Sequence, residues 1–238
     1  MDIHFYADDT EIWLPLNPSE QAAATERMEE CLRAVKQWMM HYKLKMNLEK
    51  SEYLLIASHS IRRHINQRRS LIISDQLIEP RLQPVRNLGI QMSPDASLEA
   101  HVNSISRACY MQIANISKIR RYLNEDALKT VIHCVVTSKM DYGNCLLIGA
   151  PAYLLQRLQK IQNTAGASSA GRSAPVLHNR HWLPVDKRIK YKIRVTVLNV
   201  LHNTAPSYLN DLIHVHYSDV HHVAAECLFL LCLSPPLF

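Results

Sequence analysis

Two adjacent carboxylates, Asp8 and Asp9, sit between runs that favour strands: Ile3, Phe5 and Tyr6 before them, and Ile12, Trp13, Leu14 and Leu16 after. Carboxylate oxygens are hard ligands. A pair on a rigid turn suits Mg²⁺, which binds through one or two carboxylates and fills its shell with water and substrate phosphates. Two such ions about 4 Å apart can clamp an in-line phosphoryl transfer. The plain alternative for an Asp-Asp pair is a solvated turn, because Asp tolerates turn dihedrals and bonds its own backbone. Side chains alternate across a strand, so unless the turn re-aims one carboxylate, one of the two is the stronger ligand.

To bring both carboxylates to one tip, the chain must run strand, tight turn, strand, with Ala7 to Asp9 in the turn and Tyr6 paired with Thr10. Pro18 and Ser19 then open a helix. Its apolar positions Met28, Leu32, Val35, Met39 and Tyr42 recur every three or four residues, and Glu26, Glu29, Glu30 and Lys36 take the other face. Residues 53–57 read as a buried strand and residues 71–78 as a hairpin turning at Asp75 and Gln76. Residues 85–92 complete the set, with Gly89 allowing a bulge or a close backbone approach.

From Ser97 the period becomes helical. Ser97 reads as a cap, and Val102, Ile105, Ala108, Cys109, Gln112, Ile113, Ile116 and Ile119 form one stripe. Asn124 caps a second helix, with Glu125 and Asp126 in its first turn where the dipole favours acid, and Gly143 ends or kinks it. A third helix spans residues 151–165, and the small, polar run GASSAGRSA at 166–174 reads as a linker. Residues 183–201 form a basic amphipathic helix with Ile189, Ile193, Val197, Val200 and Leu201 inward and its Lys and Arg residues outward. Pro206 opens a last short helix through Tyr208, Leu209 and Leu212.

The run FYADDTEIWL resembles the YADD box in the palm of reverse transcriptases. LKMNLEKSEYLLI at 44–56 and VRNLGIQMSPDASLEAHV at 85–102 follow in the order found in reverse transcriptases of non-LTR, LINE-like retrotransposons. HWLPVDKRIKYKI at 181–193 and NTAPSYLNDLI at 203–213 resemble the segment after that family's thumb, so the likeness spans residues 3 to 217. The resemblance implies an RNA-directed DNA polymerase that transfers a nucleotide from a dNTP to a primer 3′-hydroxyl. Its partners are an RNA template and a DNA primer duplex, and its ion is Mg²⁺ or Mn²⁺.

By the same resemblance Asp8 and Asp9 are catalytic and hold metal, and Tyr6 and Ala7 lie against substrate. Leu88 and Gly89 fall in the primer-grip region. Lys50 takes the place of a lysine that protonates the leaving pyrophosphate, a role worth about 10²- to 10⁴-fold; the plain reading is a surface lysine. The family's fingers, first palm carboxylate and template grip all precede its YADD box. The resemblance is therefore to the C-terminal part of such an enzyme, expected to be inactive alone.

Composition fits these expectations. The chain has 238 residues, 47% of them hydrophobic, enough for one or two domains with a real core. Its net charge of +6 and pI near 9.0 suit an anionic partner. The cations cluster at Arg62, Arg63, Arg68 and Arg69; at Lys118, Arg120 and Arg121; and at Lys187, Arg188, Lys190, Lys192 and Arg194. Lys118, Arg120, Arg121, Lys187, Arg188 and Lys190 are the candidate contacts to nucleic-acid phosphates, against the plain reading of a solvated face.

The six cysteines show no CxxC pair, so free thiols in a reducing compartment are expected. His178 with His181, or His214 with His216, could be called ligand pairs, but no cysteine stands at finger spacing, and structural zinc is not expected. The apolar run 227–233 is too short to span a bilayer, and no secretory leader stands at the start. The expected setting is intracellular, nuclear or cytoplasmic, without secretion or a membrane partner.

The expected fold class is α/β in the α+β sense: a partial palm of antiparallel strands with a packed helix at 1–96, then helices. Thumb-like helices occupy 97–165, a linker 166–182, basic C-terminal helices 183–217, and an unmatched tail 218–238. Two function classes follow: part of a retrotransposon reverse transcriptase, or a non-catalytic basic remnant that binds nucleic acid.

Overall fold

The computed structural model describes residues 2–6, 9–47, 49–73, 76–169 and 182–213. The fold is mixed, with helices and small antiparallel two-stranded sheets, and the chain divides into two compact units, Met1–Ser97 and Leu98–Pro235.

In the first unit, strands β1 (Asp2–Tyr6) and β2 (Asp9–Trp13) form a hairpin, and helix α1 spans Gln21–His41 behind a short 3₁₀ turn at Pro18–Glu20. Strands β3 (Leu71–Ile73) and β4 (Gln76–Ile78) make a second hairpin, and β5 (Val85–Asn87) and β6 (Ile90–Met92) a third. Each pair is its own sheet. Gln76, expected in a turn, is instead the first residue of β4 and pairs with Ile73.

Residues 53–57 do not form a strand. Tyr53 makes one isolated parallel bridge to Pro80, Arg81 N–H donates to the Tyr53 carbonyl at 2.7 Å, and Ala57 N–H donates to the Pro94 carbonyl at 3.0 Å. Pro80 and Pro94 have no N–H to extend a ladder, so the segment is extended but unpaired. Gly89 is not a bulge but a hairpin tip: Leu88 and Gly89 both have positive φ, +43° and +85°, as a type I′ connection requires. Gly takes that conformation freely, whereas Leu88 is strained in it.

Helix α1 carries a buried polar seam beside its half-buried apolar stripe. Gln21, Thr25 and Glu29 lie four residues apart and so share a face. The buried Gln21 side chain donates to the Asn66 carbonyl at 2.9 Å and accepts from Asn66 N–H at 2.8 Å. Thr25 Oγ1 accepts from Arg69 Nε at 2.9 Å, and Glu29 Oε1 accepts from Ile72 N–H at 2.8 Å, satisfying an edge donor of β3. Glu29, assigned from sequence to the solvent face, therefore belongs to the packed one, while Met28, Leu32, Val35 and Met39 are only half-buried and Tyr42 is exposed. Replacing Gln21 with Ala is expected to destabilise this unit by about 1–3 kcal/mol, because two Asn66 backbone groups lose their partner together. Urea unfolding of the variant measures it; an effect near zero would show that water replaces the amide at no cost.

The second unit is helical: α2 (Glu99–Ile119), α3 (Glu125–Ile132), α4 (Ser138–Asp141), α5 (Ala152–Ser169) and α6 (Val185–Leu201), closing on a 3₁₀ turn at Ser207–Leu212. A π-helical turn, His133–Thr137, joins α3 to α4. It has a packing reason. Leu128, Ile132, Val136 and Met140 are all buried at intervals of four, which drift about 40° per step in a regular α-helix. The wider π turn takes up part of that drift and keeps the row facing inward. The row packs with Val102, Cys109, Ile113 and Ile116 of α2, Leu154, Leu158, Ile161 and Ala165 of α5, and Val185 and Ile189 of α6 in one core.

Asn124 caps α3 as expected, its Oδ1 accepting from Ala127 N–H at 2.8 Å, and Gly143 takes a left-handed φ of +62° just past α4. The position before α2 is Leu98, which gives no side-chain cap, one residue past the expected Ser97, whose N–H donates to Asp95 Oδ1. The linker expected from residue 166 is helical through Ser169, with Ala165 and Gly166 buried, so small residues there serve close packing rather than freedom. The rest of that run, 170–181, lies outside the described residues, as do His178, His181, His214, His216 and the tail 218–238. On α6 the inward row ends at Val200, and Leu201, expected inward, is 47% exposed.

Candidate functional site

The β1–β2 register sets where the acidic pair falls. Asp2 pairs with Trp13, Ile3 with Ile12, His4 with Glu11, Phe5 with Thr10, and Tyr6 with Asp9. Asp9 is thus the first residue of β2, not part of the turn, and Tyr6 faces Asp9 rather than Thr10. Two residues, Ala7 and Asp8, separate the strands, the commonest connection for a hairpin; both lie outside the described residues. Alternation and this register put Asp2, His4, Tyr6, Asp9, Glu11 and Trp13 on one face. His4 and Glu11 were not singled out in the sequence; a period of two through Asp9 leads to Glu11, whereas His4 joins that face only through the cross-strand register. Glu11 Oε2 accepts from Trp13 Nε1 at 3.2 Å, while Glu11 Oε1 is shielded from water with no hydrogen-bond partner among the described residues. Tyr6 is 67% exposed and Asp9 is exposed, so the strand ends on either side of the connection face solvent.

Among the described residues no three His, Cys, Asp or Glu side chains gather closely enough to hold a metal ion. Asp9 and Glu11 stand two residues apart on one strand, about 7 Å along it, and two carboxylates leave most of a Mg²⁺ shell to other donors.

Lys50 is exposed in a turn, its N–H donating to Asn47. Leu88 and Gly89 occupy the exposed β5–β6 tip. In the helical unit, Lys118 ends α2 and is exposed, Arg120 and Arg121 lie in the 3₁₀ turn that follows, and Arg121 stacks its guanidinium over the exposed Tyr122 ring, 4.7 Å from the centroid. Lys187 lies 3.9 Å from Asp186 and Lys190 is exposed.

Arg188 departs from the expectation of an outward cation. Its Nε donates to Asp141 Oδ1 at 2.9 Å and its Nη2 to Asp141 Oδ2, a bidentate pair that is mostly buried, and Lys192 Nζ donates to the Asp141 carbonyl at 2.7 Å. Residues 47 apart give no local signal of such a pair.

Burial pushes the Tyr53 hydroxyl up to about 12, opposed by Arg69, and the Cys109 thiol up to about 11, opposed by Lys139. Cys31, Cys109, Cys134 and Cys145 are free. Burial lowers the pKa of His101 from its ordinary 6.5, so protonation favours the unfolded chain. Stability is therefore full above that value and declines as pH falls through it toward the folded-state pKa. Replacing His101 with Gln is expected to flatten this decline, as read from urea midpoints between pH about 7 and 5; an unchanged slope would assign the pH dependence to other groups.

No described helix is long and apolar enough to cross a membrane. Comparison with protein-family models, curated proteins and solved structures gives no match.

Proposed function

We propose that this chain is the palm-hairpin-to-thumb portion of a retrotransposon-type RNA-directed DNA polymerase, with the β1–β2 tip as its catalytic edge and the cations of the helical unit as its contacts to a template–primer duplex. One observation carries the reading: the register that sets Tyr6 across from Asp9 leaves only Ala7 and Asp8 between the strands, so Tyr-Ala-Asp-Asp spans a hairpin tip. In this reading Asp8 and Asp9 hold Mg²⁺ or Mn²⁺ together with a carboxylate from beyond this sequence, and dNTP packs against Tyr6 and Ala7. The ion would supply charge stabilisation for nucleotidyl transfer. The separate hairpins support it less directly: among the described residues no third strand pairs with β1 or β2, and further palm strands could pair there.

The second reading is a non-catalytic basic remnant that binds nucleic acid, favoured by the lack of a three-donor cluster among the described residues. Both readings expect the isolated chain to incorporate no nucleotide on a primed RNA template above an Asp9→Ala control, and both expect duplex binding that weakens steeply with salt. They part when the chain is joined to an upstream polymerase segment carrying the first palm Asp. Metal-dependent extension that Asp9→Ala abolishes supports the polymerase; none supports the remnant. Duplex affinity that is insensitive to salt would remove both.

A further inference from the structure

The C-terminal end of α1 exposes two large aromatic side chains beside lysines. Trp38 and Tyr42 lie one turn apart, 58% and 59% exposed, with ring centroids 4.9 Å apart and planes inclined at 49°. The His41 ring meets Tyr42 edge-on at 5.1 Å. Leaving two such rings in water forgoes the stabilisation their burial would give.

The backbone fixes this group in place. Leu44 N–H donates to the Met39 carbonyl at 2.8 Å and Lys43 N–H to the Met40 carbonyl at 3.1 Å, the pair of bonds that defines a Schellman stop. Its left-handed position is Lys43, with φ +60°, where Gly is usual. The stop turns the chain sharply, so that Lys43 and Lys45, both exposed, follow directly on the aromatic pair.

Along the chain the charge on either side of the rings is of one sign. Between Glu30 and Glu49 there is no Asp or Glu, whereas Arg33, Lys36, Lys43 and Lys45 all fall in that stretch. Among the described residues, neither Lys43 nor Lys45 is in an ion pair.

We propose that this end of α1 binds a single-stranded polynucleotide, with bases stacked on Trp38 and Tyr42 and backbone phosphates held by Lys43 and Lys45. Exposed aromatic plates next to cations are the arrangement by which single strands are gripped without reading sequence. A duplex offers phosphates but keeps its bases stacked on one another, so it would leave the rings unused. An apolar protein partner would use the rings but gain nothing from the lysines. The site is independent of the hairpin reading, since it uses none of the residues around Asp9.

The test uses the full chain with short oligoadenylate probes, one deoxyribose and one ribose, read by fluorescence anisotropy and by quenching of Trp38. Trp38→Ala and Tyr42→Ala are each expected to weaken single-strand binding by about 5- to 100-fold. Trp38→Phe, which keeps an aromatic plate, is expected to retain most of the affinity. The double variant Lys43→Gln with Lys45→Gln is expected to reduce the slope of log affinity against log salt by about 1.4. Binding of a blunt duplex is expected to stay as it is in all of these variants. Tighter binding of one probe tells RNA from DNA, and either supports the site. Unchanged single-strand affinity in both alanine variants overturns the proposal, as does an equal loss for single strand and duplex. A Trp38→Ala change in oligomeric state with oligonucleotide affinity intact also overturns it and gives the patch to a second copy of this chain.

Discussion

Replacing Ile132 with Ala is expected to lower the stability of the helical unit by about 2–5 kcal/mol. Ile132 is fully buried at the last position of α3, directly before the π turn, within the core that α2, α3, α5 and α6 share. Truncation removes apolar surface from burial and leaves a cavity that helices packed on several sides cannot close. Domains are stable by only about 5–15 kcal/mol, so the loss is a large part of the total. Trp182 packs against this core, with its ring 5.0 Å from that of His133, so its fluorescence should report unfolding of this unit. Met111, 57% exposed on α2, is the control, and its change to Ala is expected to stay within about 0.5 kcal/mol. Equal effects at the two positions would contradict the assigned core.

Removing Asp141 is expected to cost about 1–3 kcal/mol. Arg188 would lose both hydrogen bonds while remaining largely out of water, and Asn144, whose Nδ2 lies 3.2 Å from Asp141 Oδ1, would lose an acceptor. Breaking a fully buried pair typically costs more, but side-chain exposures of 24% and 30% let solvent recover part of the charge. The pair also separates the basic residues of α6 by role. Arg188→Gln is expected to lower stability and leave the salt dependence of duplex binding unchanged, because its guanidinium is already engaged. Lys190→Gln is expected to leave stability unchanged and reduce the slope of log affinity against log salt by about 0.9. A salt slope that moves with Arg188 and not with Lys190 would show that the ion pair opens to bind phosphate.

What was legible in the sequence is what local pattern controls. The hydrophobic stripe of α2, the Asn124 cap and the first hairpin follow from side-chain period and turn chemistry. The hairpin's register does not, because both Asp residues suit a turn and a shift of one residue changes which of them enters the strand. Tyr53 to Ala57 has strand-favouring residues, but the chains beside it present Pro80 and Pro94, and pairing is a property of neighbours rather than of the segment. Gly166 and its small neighbours resemble a linker in composition, yet burial of Ala165 and Gly166 carries the helix onward. The polar seam Gln21, Thr25 and Glu29, and the Asp141–Arg188 pair, join residues more than 40 positions apart and leave no local trace. Within the candidate site, alternation alone places Glu11 on the face of Asp9, whereas His4 reaches that face only through the register.

The central claim, that the β1–β2 tip is an ion-bearing polymerase edge, is tested most directly by titrating Mn²⁺ into isotopically labelled full chain and following amide line broadening. Broadening is expected centred on residues 6 to 10, reversed by excess Mg²⁺ and absent in the variant with Asp8→Asn and Asp9→Asn. Broadening centred elsewhere, or unchanged by that double substitution, would contradict it.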